Sequence, residues 1–245
     1  MNILVTSLRR FPRDRYAAVL AGLFAAVIGL SVFGARDLSA WLIENALLVL
    51  VLPYLVLTYR RLPLSRFSYS LIFVFLCLHE VGAHWTYARV PIPAWGQALT
   101  HGLFGDNRNY YDRLVHFSYG LLIAYPIREI FLRVADVRGF WGYFLPLDVM
   151  MSTSMAYELL EWLVADVFTS NVGTTFLATQ GDPWDAQKDM ACATGGAIVA
   201  LVVTALVNYR CQRDFAREFS ASLKVKHPAP LGEEALARLY AASGR

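Results

Sequence analysis

Six stretches of mostly apolar residues constrain this chain more than any other feature: 16–34, 41–59, 68–85, 114–132, 141–166 and 190–208. A helix needs about 20 such residues to cross a hydrocarbon core of roughly 30 Å. The stretches therefore predict an all-α, polytopic membrane protein. Residues 1–209 form a six-transmembrane-helix bundle, and residues 210–245 a polar cytoplasmic tail with a short amphipathic helix near 233–242. Composition agrees, with 57% apolar and 17% charged residues against about 25% charge in soluble domains. It excludes a disordered chain and a soluble nucleic-acid binder, so no nucleic-acid partner is expected. Cys77, Cys192 and Cys211 are too few for a disulfide framework and read as free thiols. Arg9, Arg10, Arg13 and Arg15 precede the first stretch as in a secretory signal, but Phe33 is a poor residue three positions before a cleavage at Arg36. The segment reads as an uncleaved anchor.

Orientation follows from the basic residues, which concentrate in cytoplasmic connections. Arg36, Arg89, Arg108, Arg113 and Lys188 fall in alternate connections, and the other 17 of the 22 Lys and Arg lie on the opposite side. Six spans with this bias place both termini in the cytoplasm of a bacterium and the chain in its inner membrane. The formal net charge of +3 thus hides two poles. Of the 19 acids, 11 lie on the outer side with four of the five histidines, His79, His84, His101 and His116.

Several of these residues fall inside expected spans, where a charge costs at least about 2.5–3.5 kcal/mol and therefore faces a partner or cavity. Glu80 and His84 are four apart on the third span and share a helical face, with His79 turned away. The bland reading is a polar helix end at the interface. Asp112 and His116 are again four apart at the start of the fourth span. Asn109 reads there as an N-cap with Asp112 in the first turn, which leaves His116 unexplained. Glu158 and Glu161 share a face of the fifth span. Two carboxylates so close in a low dielectric need a cation, a proton or a basic partner. Before the sixth span, Asp182 and Pro183 read as a helix start and Asp185 as part of its cap. Asp189 lies one turn deeper on the same face. Gly195 and Gly196 beyond it would permit close helix packing.

Four helix ends thus bring acid–acid or acid–His pairs to one membrane face. Such donors suit a divalent Zn, Mn, Fe or Mg ion. His84, His116, Glu158, Glu161 and Asp189 are the candidate metal ligands, and Glu80 and Asp112 the candidate general bases. His79, Asn109, Asp182 and Asp185 fit supporting or capping roles. Arg89, Arg108, Arg113 and Lys188 lie beside these motifs and would bind an anionic substrate, unless Asp–Arg pairing consumes them.

The motifs HEVGAHWTYARVP, NYYDRLVHFSYGLLIAYPIRE, YELLEW and TQGDPWDAQKDM, spread over residues 78–203, resemble those of the YjdF-like family of bacterial inner-membrane proteins. The order D-x-x-x-H, E-x-x-E and D-x-x-x-D is also similar, more faintly, to VanZ-type membrane proteins. The first resemblance implies a multi-pass membrane protein and carries no activity with it. From the residues, three functions stay open. One is a metal-assisted hydrolase or transferase acting on a lipid or lipid-linked phosphate. Another is an ion-coupled transporter using Glu158 and Glu161, and the third a non-catalytic scaffold. The lipid bilayer is the one partner the composition requires, and oligomeric state stays open.

Overall fold

The computed structural model describes residues 13–104, 108–167, 180–211, 215–226 and 232–243. Every regular element among them is helical. In chain order these are α1 (Arg13–Val32), α2 (Leu38–Glu44), a 3-10 turn (Asn45–Leu47) and α3 (Leu48–Thr58). Then come α4 (Arg66–Trp85), α5 (Ala94–Phe104), α6 (Tyr111–Val134) and α7 (Trp141–Val167). The chain continues with α8 (Asp185–Cys211), α9 (Phe215–Ser222) and α10 (Glu233–Ser243). Arg9, Arg10 and most of the connection between α7 and α8 lie outside the described residues.

Among the described residues, four segments are long and apolar enough to cross a membrane: Asp14–Val32, Leu38–Thr58, Arg66–Trp85 and Asp185–Cys211. Helices α6 and α7, of 24 and 27 residues, match the fourth and fifth expected spans in length but carry more charge. The second span is interrupted, because α2 ends at Glu44 and a 3-10 turn intervenes before α3. Two helices come from segments read as polar connection or tail. α5 lies in the first long loop, and α9 packs its Phe219 edge-on to Phe140 while Ser222 bonds Phe140 N–H.

Helix α6 lies at the centre, against α4, α7 and α8. It runs beside α8 in the same direction, from the acidic end of the bundle to the basic end. Their backbones touch. A Cβ on Gly120 would overlap the Ala193 carbonyl oxygen, and one on Gly196 would overlap that of Phe117. Small residues give such crossings their depth. Gly195, also expected to serve packing, has open space beside it. Below the crossing Ala124, Met150, Ala197 and Leu201 form one core cluster, and Phe24, Leu48 and Leu76 form another between α1, α3 and α4. Leu50, Val56, Leu159 and Val203 are exposed, as surfaces solvated by lipid require. Pro126 and Pro146 sit inside α6 and α7 and are fully buried, where neighbouring helices shelter the freed carbonyls.

The basic end is tied by Glu129. Its carboxylate accepts from Ser65 N–H at 2.8 Å and Ser68 Oγ at 2.5 Å at the start of α4, and from Arg133 at 3.0 Å. One half-buried acid on α6 therefore ties down the start of α4.

Candidate functional site

At the acidic end, α6, α7 and α8 converge. Asp112 and His116 lie one turn apart on α6, and Asp189 faces them from α8. One ligand atom from each lies within 4.8 Å of the other two. His116 Nε2 stands 3.7 Å from Asp112 Oδ1 and 3.4 Å from Glu158 Oε1 on α7. All four side chains are buried, Asp189 to 2% exposure. Glu158 Oε1 and Asp189 Oδ1 have no hydrogen-bond partner. Glu161, one turn from Glu158, lies within electrostatic range of Asp112, Glu158 and Asp189.

Arginines surround this cluster rather than facing open space. Arg108 pairs with Asp185. Arg113 reaches Asp182 at 2.5 Å, Asp185 at 3.4 Å and Asp189 at 3.8 Å, and its guanidinium lies over the Tyr110 ring. Lys188 joins Asp182 at 2.7 Å. Of the four basic residues proposed for substrate, three thus make ion pairs, and Arg89 is exposed. Asp182 also accepts from Trp184 N–H at 3.0 Å, so it caps the turn that opens α8. The hydrogen bond from Lys188 above all, helped by those from Trp184 N–H and Arg113, holds its carboxyl well below the usual range. Asn109 Oδ1 accepts from Tyr111 N–H at 3.0 Å and its amide donates to Val90 O at 2.8 Å. The N-cap position of α6 is Tyr110 rather than the expected Asn109, which instead makes a side-chain turn leading into the helix and ties the first long loop down.

The pair on α4 faces elsewhere. His84 Nδ1 bonds Ser31 O on α1 at 2.7 Å, and Glu80 is sunk against Ser31 and Trp41. His79 turns the other way, with its Nδ1 2.6 Å from the Tyr87 hydroxyl. Three of the four expected pairs gather around His116, and the Glu80–His84 pair addresses α1 and α2.

Residues 16–210 match the family described as "Predicted membrane protein (DUF2238)". The chain is also 40% identical, over 182 residues, to "Inner membrane protein YjdF" of Escherichia coli (strain K12), an alignment covering 74% of this chain and 85% of that relative. This chain belongs to the DUF2238 membrane protein family. No solved structure matches it.

Around the candidate site lie residues that sequence reasoning missed. Glu44, at the break in the second span, is 5% exposed and accepts from the Tyr157 hydroxyl at 3.1 Å. It lies within electrostatic range of Asp112. An acid four residues into an apolar stretch was itself the available signal. Tyr87 is placed by unusual backbone, since Thr86 and Tyr87 both have positive φ, 58° and 44°. That fold-back lays the Tyr87 ring against Gly82, where no Cβ would fit. Burial pushes the Tyr87 phenol well above its ordinary pKa. Consecutive left-handed residues other than glycine cost energy and cluster at functional sites. No spacing rule flags them.

Proposed function

We propose that this DUF2238 protein is a six-span inner-membrane protein with both termini cytoplasmic, and that it holds a divalent metal at the outer ends of α6, α7 and α8. The convergence of Asp112, His116 and Asp189 within 4.8 Å carries the reading. Glu158 completes a three-carboxylate, one-imidazole set, and its open oxygen faces His116. Such a set suits Zn, Mn or Fe, with Mg a weaker match because of the imidazole. The inner-membrane location is supported by the printed description of the Escherichia coli relative, and the orientation by the basic-residue bias.

The activity this geometry supports best is metal-assisted hydrolysis or transfer at the phosphate of a lipid or lipid-linked substrate. A bound metal would polarise the phosphoryl oxygen and lower the pKa of a water. Glu161, beside the cluster yet outside the four-residue set, is the better-placed general base, since Asp112 belongs to that set and Glu80 faces α1. Arg108 and Arg113 orient the aspartates through ion pairs, as outer-sphere groups around metals do, and Arg89 is the exposed cation for an anionic headgroup. The broken second span favours a second reading, an ion-coupled carrier, because interrupted helices frame ion sites in transporters.

Metal analysis of anaerobically purified protein decides the first reading. One equivalent of metal in the wild type, lost in His116→Ala and in Asp189→Asn, is expected. A protein that carries no metal and binds none on addition refutes it. Proton-driven uptake into liposomes that Glu161→Gln abolishes would replace it with the carrier.

A further inference from the structure

Glu80 is left unused by the cluster around His116. It is 1% exposed, five residues before the end of α4, or about 8 Å into the bundle at 1.5 Å per residue. Neither carboxylate oxygen has a hydrogen-bond partner, and among the described residues no Lys or Arg pairs with it. Its polar neighbours are Ser31 on α1 and Trp41 on α2. Their protons point elsewhere: Trp41 Nε1 donates to Ser31 Oγ at 2.9 Å, and Ser31 Oγ donates to the Glu80 carbonyl oxygen at 3.1 Å. His84 is held by Ser31 O.

A second, independent observation lies on the neighbouring span. Asn45, at the 3-10 break, is 8% exposed and donates to Trp41 O at 3.0 Å, while its Oδ1 has no partner. Asn45, Trp41, Ser31 and the Glu80 main chain are thus linked by hydrogen bonds, while Asn45 Oδ1 and the Glu80 carboxylate oxygens stay unpartnered. These oxygens are acceptors, so what they lack is a donor or a cation. Buried acceptors are rarely left so without a ligand or a functional reason.

We propose that the region between α1, the α2–α3 break and α4 binds a small monovalent cation, with Na+ as the ion and Glu80 as its charged ligand. One carboxylate and one monovalent ion sum to zero charge, as a low-dielectric interior demands. A divalent ion would leave an uncompensated charge there. The donors are all oxygens, namely the Glu80 carboxylate, the Asn45 side-chain carbonyl and the Ser31 hydroxyl, which suits a hard ion. This site differs in charge and donor type from the imidazole-containing cluster around His116, and it stands whether or not that cluster holds a metal.

The test uses the full chain in detergent micelles, with choline replacing sodium at constant ionic strength. Wild type is expected to bind ²²Na+ in scintillation proximity, and a tenfold excess over the Kd to raise its Tm by about 3–6 °C. Glu80→Gln abolishes both effects and keeps its divalent-metal binding. Asn45→Ala weakens ²²Na+ binding several-fold. Sodium-independent behaviour of the wild type, or a Glu80→Gln protein that binds ²²Na+ normally, overturns the proposal. So does a Tm that follows pH but never sodium, which assigns the site to a proton. Should Glu80→Gln fail to fold, an Asn45→Ala protein with unchanged sodium affinity overturns it. Divalent-metal stoichiometry, read on the same samples, reports separately on the His116 cluster.

Discussion

Gly120→Ala tests whether the crossing of α6 and α8 sets the geometry of the proposed metal site. A Cβ at position 120 would stand 2.6 Å from Ala197 N and overlap the Ala193 carbonyl oxygen, where ordinary contact begins near 3.4 Å. Both are main-chain atoms, so no side chain can swing aside and the helices must part by about 1 Å. Overpacking of this kind costs about 1–3 kcal/mol, or a Tm fall of roughly 2–12 °C for a chain this long. The displacement reaches the site because His116 lies one turn from Gly120 and Asp189 one turn from Ala193. Metal ligands tolerate about 0.5 Å of misplacement. Metal affinity, measured by calorimetry on micellar protein, is therefore expected to fall roughly tenfold to a hundredfold, the range seen when supporting groups are lost. Gly195→Ala is the control, since its Cβ meets nothing within 4 Å, and its affinity is expected to match wild type. Unchanged affinity in Gly120→Ala, or equal damage from Gly195→Ala, refutes the reasoning.

The pH dependence of the α8 start follows from Asp182. Its folded-state pKa is depressed by Lys188, Trp184 N–H and Arg113, so its contribution is complete above the ordinary Asp value of about 3.9 and is lost as pH falls through the lower folded value. Amide exchange at Trp184 and Asp185 is expected to show constant protection, after correction for intrinsic rates, from pH 7 to about 4. Asp182→Asn should lose protection across that whole range, and a wild-type loss near pH 6 would contradict the assignment. The proposed six-span arrangement predicts that alkaline phosphatase is active when fused after Pro91 and inactive when fused after Leu62 or Arg138. An active fusion at Arg138 removes the topology.

Four of the spans were legible because long apolar stretches need no knowledge of their partners. The pairs Asp112–His116, Glu158–Glu161 and Asp185–Asp189 were legible because helical spacing fixes which residues share a face. Which way a face turns is a tertiary matter. Glu80 and His84 share theirs, yet it meets Ser31 on α1 rather than His116 on α6. Glu44 stayed hidden because its partner, Tyr157, comes 113 residues later. Tyr87 depends on two left-handed residues that no composition rule marks. The arginines read as substrate binders because their aspartate partners, Asp185 for Arg108 and Asp182 for Arg113, lie far along the chain. Gly195 and Gly196 differ only in helical phase, about 100° apart, and only one faces Phe117.

Arg113 pairs with Asp182, Asp185 and Asp189, all contributed by the final span or the turn before it. In the proposed topology, ribosomal synthesis delivers α6 and α7 to the bilayer well before those aspartates exist. Until then Arg113 lacks its eventual counter-charges, at a cost of several kcal/mol, while His116 and Glu158 already have each other. The bundle therefore matures only when its last helix arrives, and a chain cut short before α8 is an orphaned intermediate that membrane quality control should recognise. One guanidinium makes the completion of biosynthesis a condition for a stable fold.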